Sequence, residues 1–439
     1  MNDTPDAARA EALAYLAQAE KDALVIPGVD AGTPVREIAS AAVIGSGTMG
    51  GGIAMALSNA GIPVHLLDLD PAALERGLAT IRRNYEISLS RGRLTEEELE
   101  ARMARILPTT SYDAIAGADI VIEAVFEDMD LKRKIFAQLD GLMKPGAVLG
   151  SNTSTLDIDA IAAATRRPED VIGTHFFSPA NVMKLQENVR GKASSPSTIA
   201  TVTKLAQRIG KVPVLAGNCD GFIGNRIFAV YGREADFLLE DGAMPWEVDD
   251  ALKAFGFPMG VFLMRDMAGV DVAWRVRKVR EAARDKTTRD PAALVYRLYD
   301  ENRLGQKTGK GYYDYEGRTA SPSERTREII EQISADLGIV RKPVSAEEIV
   351  NRVLAAMVNE AAKIVEQGFA LRASDIDVTY AHGYGFPKHE GGPMYWARKR
   401  GLDKVLADVE RYHAEYGKLW TPAPLLVRLA REGKGWDAA

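Results

Sequence analysis

The length, composition and charge of this sequence already exclude several classes of protein. With 439 residues, of which 46% are hydrophobic and 26% charged, the chain can bury two or three ordinary cores. A formal net charge of −6 gives no electrostatic footprint for nucleic acid. Cys219 is the only cysteine, which excludes an intrachain disulfide and a cysteine-based zinc site, and we predict no metal site. No apolar run approaches the ~18 residues of a membrane helix, and the first twenty residues resemble no signal peptide, so we expect a cytoplasmic protein in a reducing compartment.

The first half of the chain alternates short apolar runs with helical stretches. The pattern of residues 8–24 predicts a helix, and a linker rich in proline and glycine follows it. Asp70 followed by Pro71 is typical of a helix start, because it combines a capping side chain with proline at the first helical position. Four apolar runs are typical of buried strands, at 41–44, 63–68, 119–125 and 147–150. Strands that alternate with helices predict an α/β protein with a parallel, doubly wound sheet.

After about residue 218 the strand-like runs stop and the pattern becomes helical. The segment 225–242 recurs at 351–368 with a constant offset of 126, and seven of these eighteen positions are identical. Each copy later reaches a Gly-Phe-Pro, at 256–258 and at 385–387. The alternative is a chance similarity of two amphipathic helices, but a duplicated helical module is better supported.

A glycine-rich turn follows the first predicted strand and opens a helix. In Gly-Ser-Gly-Thr-Met-Gly at 45–50, the first glycine permits a tight turn, the second lets the backbone approach a pyrophosphate, and the third lets helix and strand pack closely. Asp68 ends the next predicted strand, where a carboxylate accepts hydrogen bonds from an adenosine ribose and repels a 2′-phosphate. The alternative is a glycine turn and an exposed aspartate. We predict an NAD site formed by Gly45, Gly47, Thr48, Met49, Gly50 and Asp68.

These patterns predict a Rossmann-type doubly wound sheet followed by two tandem all-helical modules. An N-terminal helix with its linker precedes the sheet domain, and a second linker joins the two modules. The predicted segments, in chain order, are 1–38 (helix and linker), 39–218 (NAD-binding Rossmann domain), 219–316 (first helical module), 317–345 (linker) and 346–439 (second helical module).

A histidine lies at the end of a later apolar run, in Gly-Thr-His-Phe-Phe-Ser-Pro at 173–179. Hydride transfer from a secondary alcohol needs a base, and imidazole titrates in the right range, although a lone histidine near a strand end is more often structural. Glu187 lies twelve residues beyond His175, after a turn at 179–181, so the chain could fold back and bring its carboxylate to the imidazole. Spacing alone does not exclude a surface glutamate. Ser-Asn-Thr-Ser at 151–154 offers hydroxyls for a substrate oxygen, and it is equally typical of a helix cap.

With these residues assembled, the sequence resembles the 3-hydroxyacyl-CoA dehydrogenase family over roughly residues 39–439. It is most similar to the dehydrogenase half of peroxisomal-type multifunctional β-oxidation enzymes. Several rare motifs in one order are more specific than any single motif. The stretches that carry the resemblance are GSGTMGGG (45–52), EAVFEDMDLK (123–132), SNTST (151–155), HFFSP (175–179), DGFIGNR (220–226) and GQKTGKGYY (305–313).

The resemblance implies NAD-dependent oxidation of an (S)-3-hydroxyacyl-CoA to a 3-ketoacyl-CoA. It implies that His175 is the catalytic base and that Glu187 is its partner. It also implies that Ser154 and Asn225 hydrogen-bond the hydroxyl or thioester region of the substrate and position the dyad.

Three further residues complete the expected cofactor site. Glu127 and Lys132 fall where the family contacts the nicotinamide-side ribose, whereas from the residues alone they are an ordinary helix-start pair. We also expect Asn152, in the turn after the 147–150 strand, to contact the cofactor.

The sequence departs from the family pattern in three ways. Ser178 stands where the monofunctional enzymes have Asn, which multifunctional relatives tolerate. Gln186 and Asn188 replace the apolar residues that usually flank Glu187, so we expect wetter surroundings for the carboxylate. Residues 1–38 resemble only the linker helix that would join a hydratase/isomerase domain, so we expect no hydratase activity and allow for a separate enoyl-CoA hydratase as a partner.

The duplicated module also predicts the state of assembly. The resemblance implies that the second copy occupies the place that a partner subunit takes in one-module dimers. We expect a monomer with an internal pseudo-dimer, an acyl-CoA substrate, and no nucleic-acid or membrane partner. Two alternatives remain open: a Rossmann dehydrogenase of another hydroxy acid, and a non-catalytic subunit that binds NAD or CoA in a β-oxidation assembly.

Overall fold

The computed structural model describes residues 5–281, 284–291 and 293–439. Its contacts divide the chain into two compact units. The sheet unit comprises Leu13–Asn225 and Gln367–Tyr384. The helical unit comprises the described residues up to Ala12, together with Arg226–Glu366 and Gly385–Ala439.

The sheet unit is built on eight strands, which are β1 (Ala41–Ile44), β2 (Val64–Leu67), β3 (Ile106–Thr109), β4 (Ile120–Glu123), β5 (Val148–Ser151), β6 (Val171–Phe176), β7 (Leu185–Arg190) and β8 (Val212–Gly217). Their order across the sheet is β3-β2-β1-β4-β5-β6-β7-β8, and every neighbouring pair is parallel except the antiparallel pair β6–β7. The four apolar runs predicted as strands correspond to β1, β2, β4 and β5. Strands that are buried on both faces read as continuous apolar runs, and the doubly wound α/β prediction is confirmed.

Helices precede and connect these strands. They are α1 (Pro5–Asp22), α2 (Thr48–Asn59), α3 (Pro71–Ser90), α4 (Glu96–Ala104), α5 (Met129–Leu142), α6 (Ile158–Ala162) and α7 (Pro196–Arg208). The predicted start of α3 is confirmed, because the Asp70 side chain accepts a hydrogen bond from the Ala72 amide and Pro71 is the first helical residue. Among the described residues, no helix is long and apolar enough to cross a membrane.

The remaining elements are α8 (Gly224–Asp241), α9 (Pro245–Phe255), α10 (Val261–Ala268), α11 (Val270–Arg280), α12 (Ala293–Asp300), β9 (Tyr313–Glu316), β10 (Thr319–Pro322), α13 (Glu324–Asp336), α14 (Ala346–Glu366), α15 (Ala373–Gly383), α16 (Pro393–Arg400), α17 (Leu402–Tyr416) and α18 (Pro424–Glu432). The expectation that strands stop near residue 218, leaving all-helical modules, is wrong for β9 and β10. These strands pair as an antiparallel hairpin around Gly317, whose φ is +62°. Their mixed polar sequences contain no apolar run, so hydrophobicity gave no signal. The segment 317–345 thus contains β10 and α13.

The two copies of the repeat form α8 and α14, and within the helical unit they exchange ion pairs reciprocally. Arg226 of α8 bonds Glu360 of α14 at 2.7 Å, and Arg352 of α14 bonds Glu234 of α8 at 2.9 Å. Each pair joins the same two repeat positions, since 226 and 352, like 234 and 360, differ by the offset of 126. The contact is therefore of the self-complementary kind that a two-fold axis produces.

The segment 367–384, which the sequence assigns to the second helical module, folds with the sheet. The Gly217 amide at the end of β8 donates a hydrogen bond to the Phe369 carbonyl (2.7 Å), and α15 packs against β7 and β8. The N-terminal helix also contacts α15, because Tyr15 donates a hydrogen bond to Asp377 (2.6 Å). Glu20 of α1 likewise lies 2.7 Å from the His382 ring. The N-terminal helix is thus engaged within its own chain.

Candidate active site

The glycine-rich turn between β1 and α2 shows different physical demands at its three glycines. Gly45 has a φ of +99°, which glycine adopts at little cost. A Cβ on Gly50 would lie 1.8 Å from the Gly45 carbonyl oxygen, so only glycine allows this packing of helix against strand. No atom lies within 4 Å of a Cβ built on Gly47, which leaves open space at the start of α2. Thr48 and Met49 form the first turn of this helix, where backbone amides have no partner within the helix.

Asp68 directly follows β2 and faces the glycine-rich turn. Its carboxylate accepts hydrogen bonds from the Ser46 amide (3.0 Å) and hydroxyl (2.6 Å). Partial burial would raise the pKa of Asp68, but the hydrogen bonds from Ser46 lower it below its ordinary value. The carboxylate is therefore held ionised beside the turn, as the prediction for an adenosine ribose requires. The contribution of Ser46 had no signal in the sequence beyond its place in the motif.

His175 and Glu187 lie directly opposite each other on the antiparallel strands β6 and β7. The His175 Nδ1 atom is 2.8 Å from the Glu187 Oε2 atom, and the two residues are 5% and 0% exposed. Because a carboxylate can only accept, Nδ1 carries the proton and Nε2 is left as the basic nitrogen. The second carboxylate oxygen accepts a hydrogen bond from the Gly224 amide (2.9 Å), the first residue of α8. Both oxygens of Glu187 are thus fixed, and so is the imidazole.

The expectation of wetter surroundings for Glu187 is wrong. Successive side chains of a strand point to opposite faces, so Gln186 and Asn188 face away from the dyad. Both are buried, and the Gln186 amide nitrogen donates a hydrogen bond to the Asn188 oxygen (2.9 Å). The two polar side chains pair with each other, and Glu187 itself is 0% exposed.

Ser154 and Asn225 lie together in the sheet unit, although 71 residues separate them in sequence. The Asn225 Nδ2 atom is 3.4 Å from the Ser154 carbonyl oxygen. The alternative interpretation of the 151–154 run as a helix cap is wrong, since α6 begins at Ile158 and its cap is Asp157.

Glu127 accepts several hydrogen bonds from the turn after β5. Its Oε1 atom accepts hydrogen bonds from the Thr153 hydroxyl (2.6 Å) and from the Ser154 amide (2.8 Å) and hydroxyl (3.2 Å). Burial would raise the pKa of Glu127, but these bonds and the nearby charge of Lys132 lower it. The side chain is therefore an ionised acceptor at the edge where the cofactor is expected.

Lys132 is buried behind Glu127. Its Nζ atom lies 2.7 Å from Glu123 and 3.4 Å from Glu127, and the side chain is 1% exposed. Glu123 also accepts a hydrogen bond from the Ser151 hydroxyl (2.7 Å). In this arrangement Lys132 supports Glu127, and a direct contact of Lys132 with the ribose stays a prediction. Sequence reasoning missed Glu123 because it reads as part of an apolar strand.

Asn152 links the ends of β5 and β6. Its side-chain oxygen accepts a hydrogen bond from the Phe176 amide (2.8 Å), next to His175. The cofactor contact predicted for Asn152 stays a prediction, but the bond fixes the backbone beside the imidazole.

Four parts of the candidate site lie at the carboxyl edge of the parallel strands. They are the glycine-rich turn after β1, Glu127 after β4, Ser154 after β5 and His175 near the end of β6. Open α/β sheets bind ligands at that edge.

Two family models match this chain. The model described as "3-hydroxyacyl-CoA dehydrogenase, NAD binding domain" matches residues 40–219. The model described as "3-hydroxyacyl-CoA dehydrogenase, C-terminal domain" matches two stretches, 221–315 and 349–436. The NAD-binding domain is thereby shown, and the two stretches of the second model agree with the internal repeat.

Several known proteins are similar to this chain in sequence and in structure. The human peroxisomal bifunctional enzyme is 40% identical in an alignment of 422 residues that covers 92% of this chain and 58% of that protein, so the chain spans somewhat more than half of such relatives. The structure of (S)-3-hydroxybutyryl-CoA dehydrogenase from Ralstonia eutropha is 38% identical and covers 64% of this chain and 100% of its own, with a TM-score of 0.59. That of 3-hydroxybutyryl-CoA dehydrogenase from Escherichia coli is 29% identical and covers 90% and 99%, with a TM-score of 0.79. The chain belongs to the 3-hydroxyacyl-CoA dehydrogenase family.

Proposed function

We propose that this chain oxidises the 3-hydroxyl group of an (S)-3-hydroxyacyl-CoA to a ketone in β-oxidation, with NAD as the oxidant. The observation that carries the proposal is the buried contact of 2.8 Å between His175 and Glu187, on the same unit as the glycine-rich turn. Glu187 holds the imidazole in the tautomer with a free Nε2, and this nitrogen accepts the proton of the substrate hydroxyl. The negative charge of Glu187 then stabilises the imidazolium that forms.

Ser154 and Asn225 are the groups that orient the substrate in this proposal. The Ser154 hydroxyl and the Asn225 amide offer donors and an acceptor for the hydroxyl or thioester oxygen. Bound NAD supplies the hydride acceptor. Open space at Gly47 and the ionised carboxylate of Asp68 fit the pyrophosphate and the adenosine ribose, and Asp68 favours NAD over NADP.

A comparison of thioesters with free acids tests this function. We expect the protein to form NADH with (S)-3-hydroxyacyl-CoA thioesters and to discriminate strongly against the matching free hydroxy acids, because the free acid lacks the CoA group. Measuring kcat/KM over short to long acyl chains would also define the preferred chain length. Equal turnover of the free acids would favour a dehydrogenase of another hydroxy acid. No NADH from any thioester would favour a non-catalytic binding subunit.

We further propose that the two helical modules form a pseudo-dimer within one chain. The reciprocal pairs Arg226–Glu360 and Arg352–Glu234 have the symmetry of a two-fold interface. The apolar face of α14 is also buried within the helical unit, at Ile349, Val353, Leu354, Met357, Val358, Ala361 and Ile364. A surface satisfied inside one chain needs no second subunit to cover it.

Sedimentation equilibrium checks this assembly. We expect a monomer of 47.7 kDa at micromolar concentration, because the interface is filled internally. A chain cut at about residue 318 should aggregate or dimerise and lose activity, since it lacks α14. A tight dimer of the full chain, joined through its second module, would contradict the pseudo-dimer.

The cellular setting is also a proposal. We propose a cytoplasmic location and a separate enoyl-CoA hydratase as a functional partner. Relatives include a "Peroxisomal bifunctional enzyme" and a "Fatty acid oxidation complex subunit alpha", whose names describe those proteins. Co-purification of a hydratase activity with the native protein would test the partner.

A further inference from the structure

The two copies of the repeat differ at the residue before their shared Gly-Phe-Pro. The first copy has Phe255 there, and the second has Tyr384. The second copy therefore carries a hydroxyl group that the first copy lacks. Tyr384 is the last residue of the segment that folds with the sheet unit, the unit that also contains Ser154, His175 and Asn225.

The hydroxyl group of Tyr384 bonds the side chain of Asn225. It lies 2.8 Å from the Asn225 Oδ1 atom, while the Nδ2 atom of the same amide faces the Ser154 carbonyl oxygen at 3.4 Å. Because a carbonyl oxygen can only accept, the nitrogen must point to Ser154 and the oxygen to Tyr384. Tyr384 therefore donates, and the bond opposes rotation of the amide by half a turn.

The ring of Tyr384 is held by its neighbours. It stacks on Tyr380, with ring centroids 4.8 Å apart, and meets Phe177 edge-on at 5.4 Å. A Cβ on Gly224 would lie 2.3 Å from the ring, so the glycine before Asn225 makes room for it. Burial, followed by the nearby charge of Glu187, raises the pKa of Tyr384 well above its ordinary value, so the hydroxyl group stays a donor at working pH.

We propose that Tyr384 is a positioning residue that orients the Asn225 amide towards the substrate. The inference rests on the proposed dehydrogenase function, in which Asn225 binds the hydroxyl or thioester region. The part of the second repeat copy that folds with the sheet unit thus supplies a side chain to the active site. Tyr384 itself acts through Asn225 and takes no part in proton transfer.

The variant Tyr384→Phe, which restores the residue of the first copy, tests the role. It removes one oxygen atom and keeps the ring packing. We expect kcat/KM for the acyl-CoA to fall roughly 5- to 50-fold, as for a hydrogen bond whose loss leaves a partly buried acceptor unpaired. NAD affinity should be unchanged. In an Asn225→Ala background, Tyr384→Phe should have almost no further effect, because the group that it orients is gone.

Tyr85→Phe is the matched control. The Tyr85 hydroxyl donates to the Asn59 side-chain oxygen at 3.0 Å, between α3 and α2, so its loss removes the same kind of bond elsewhere in the sheet unit. We expect this control to keep the wild-type kcat/KM. The proposal would be overturned if Tyr384→Phe lowered kcat/KM equally with and without Asn225. It would also be overturned if the wild type were active and Tyr384→Phe left its kcat/KM unchanged. An inactive wild type would instead refute the proposed function itself.

Discussion

Replacing His175 or Glu187 with glutamine is expected to lower kcat for 3-hydroxyacyl-CoA oxidation by about two to four orders of magnitude. The His175→Gln variant lacks a basic nitrogen at the position of Nε2. The Glu187→Gln variant keeps the shape of the side chain but loses the charge that stabilises the imidazolium. Steady-state kinetics with saturating NAD measures both losses.

The cofactor site and a second histidine provide controls for these variants. NAD affinity should change little in both, because the glycine-rich turn and Asp68 are intact. His65→Gln changes a histidine of β2, which is four strands away from β6 in the same sheet, and should keep the wild-type kcat. Near-normal kcat in both dyad variants would remove the proposed mechanism.

Lys132→Met is expected to destabilise the sheet unit by about 3–5 kcal/mol. The substitution removes the ammonium group that lies 2.7 Å from the Glu123 carboxylate, and both side chains are almost fully buried. Breaking such a pair from one side leaves a buried charge without its partner. The denaturant midpoint, followed with a probe in the sheet unit, measures the loss of stability.

Lys144→Met is the matched control for Lys132→Met. Lys144 pairs with Asp119 but is 43% exposed, so water screens the pair and its loss should cost no more than about 1 kcal/mol. Equal midpoints for the two variants would show that the Glu123–Lys132 pair does not support the site as described.

The sequence predicts the strands of this fold where the buried residues are apolar, and fails where they are polar. β1, β2, β4 and β5 are covered on both faces, so each reads as an apolar run. β7 was missed as a strand because the dyad glutamate alternates there with the Gln186–Asn188 pair, and all three are polar although buried. The hairpin of β9 and β10 was missed because its short strands carry few apolar residues.

The site was predictable from the sequence only where the residues that make contact are close together along the chain. The pair His175 and Glu187 is close in sequence, and a turn between them suggested their contact. Tyr384 was not predictable, because only the fold brings the end of α15 to Asn225. The burial of Lys132 was also not predictable, since a lysine in the first turn of a helix is usually exposed. Its contact with Glu123 exists only once the strand and the helix have folded together.

Transfer of deuterium from carbon 3 of the substrate tests the central claim most directly. The protein would be incubated with NAD and (S)-3-hydroxybutyryl-CoA that carries deuterium at carbon 3, and both products analysed by mass spectrometry. The account predicts one deuterium in the reduced nicotinamide for each 3-ketoacyl-CoA formed, with the rate falling sharply in His175→Gln. A reduced nicotinamide without deuterium, or no ketone from the thioester, would contradict it.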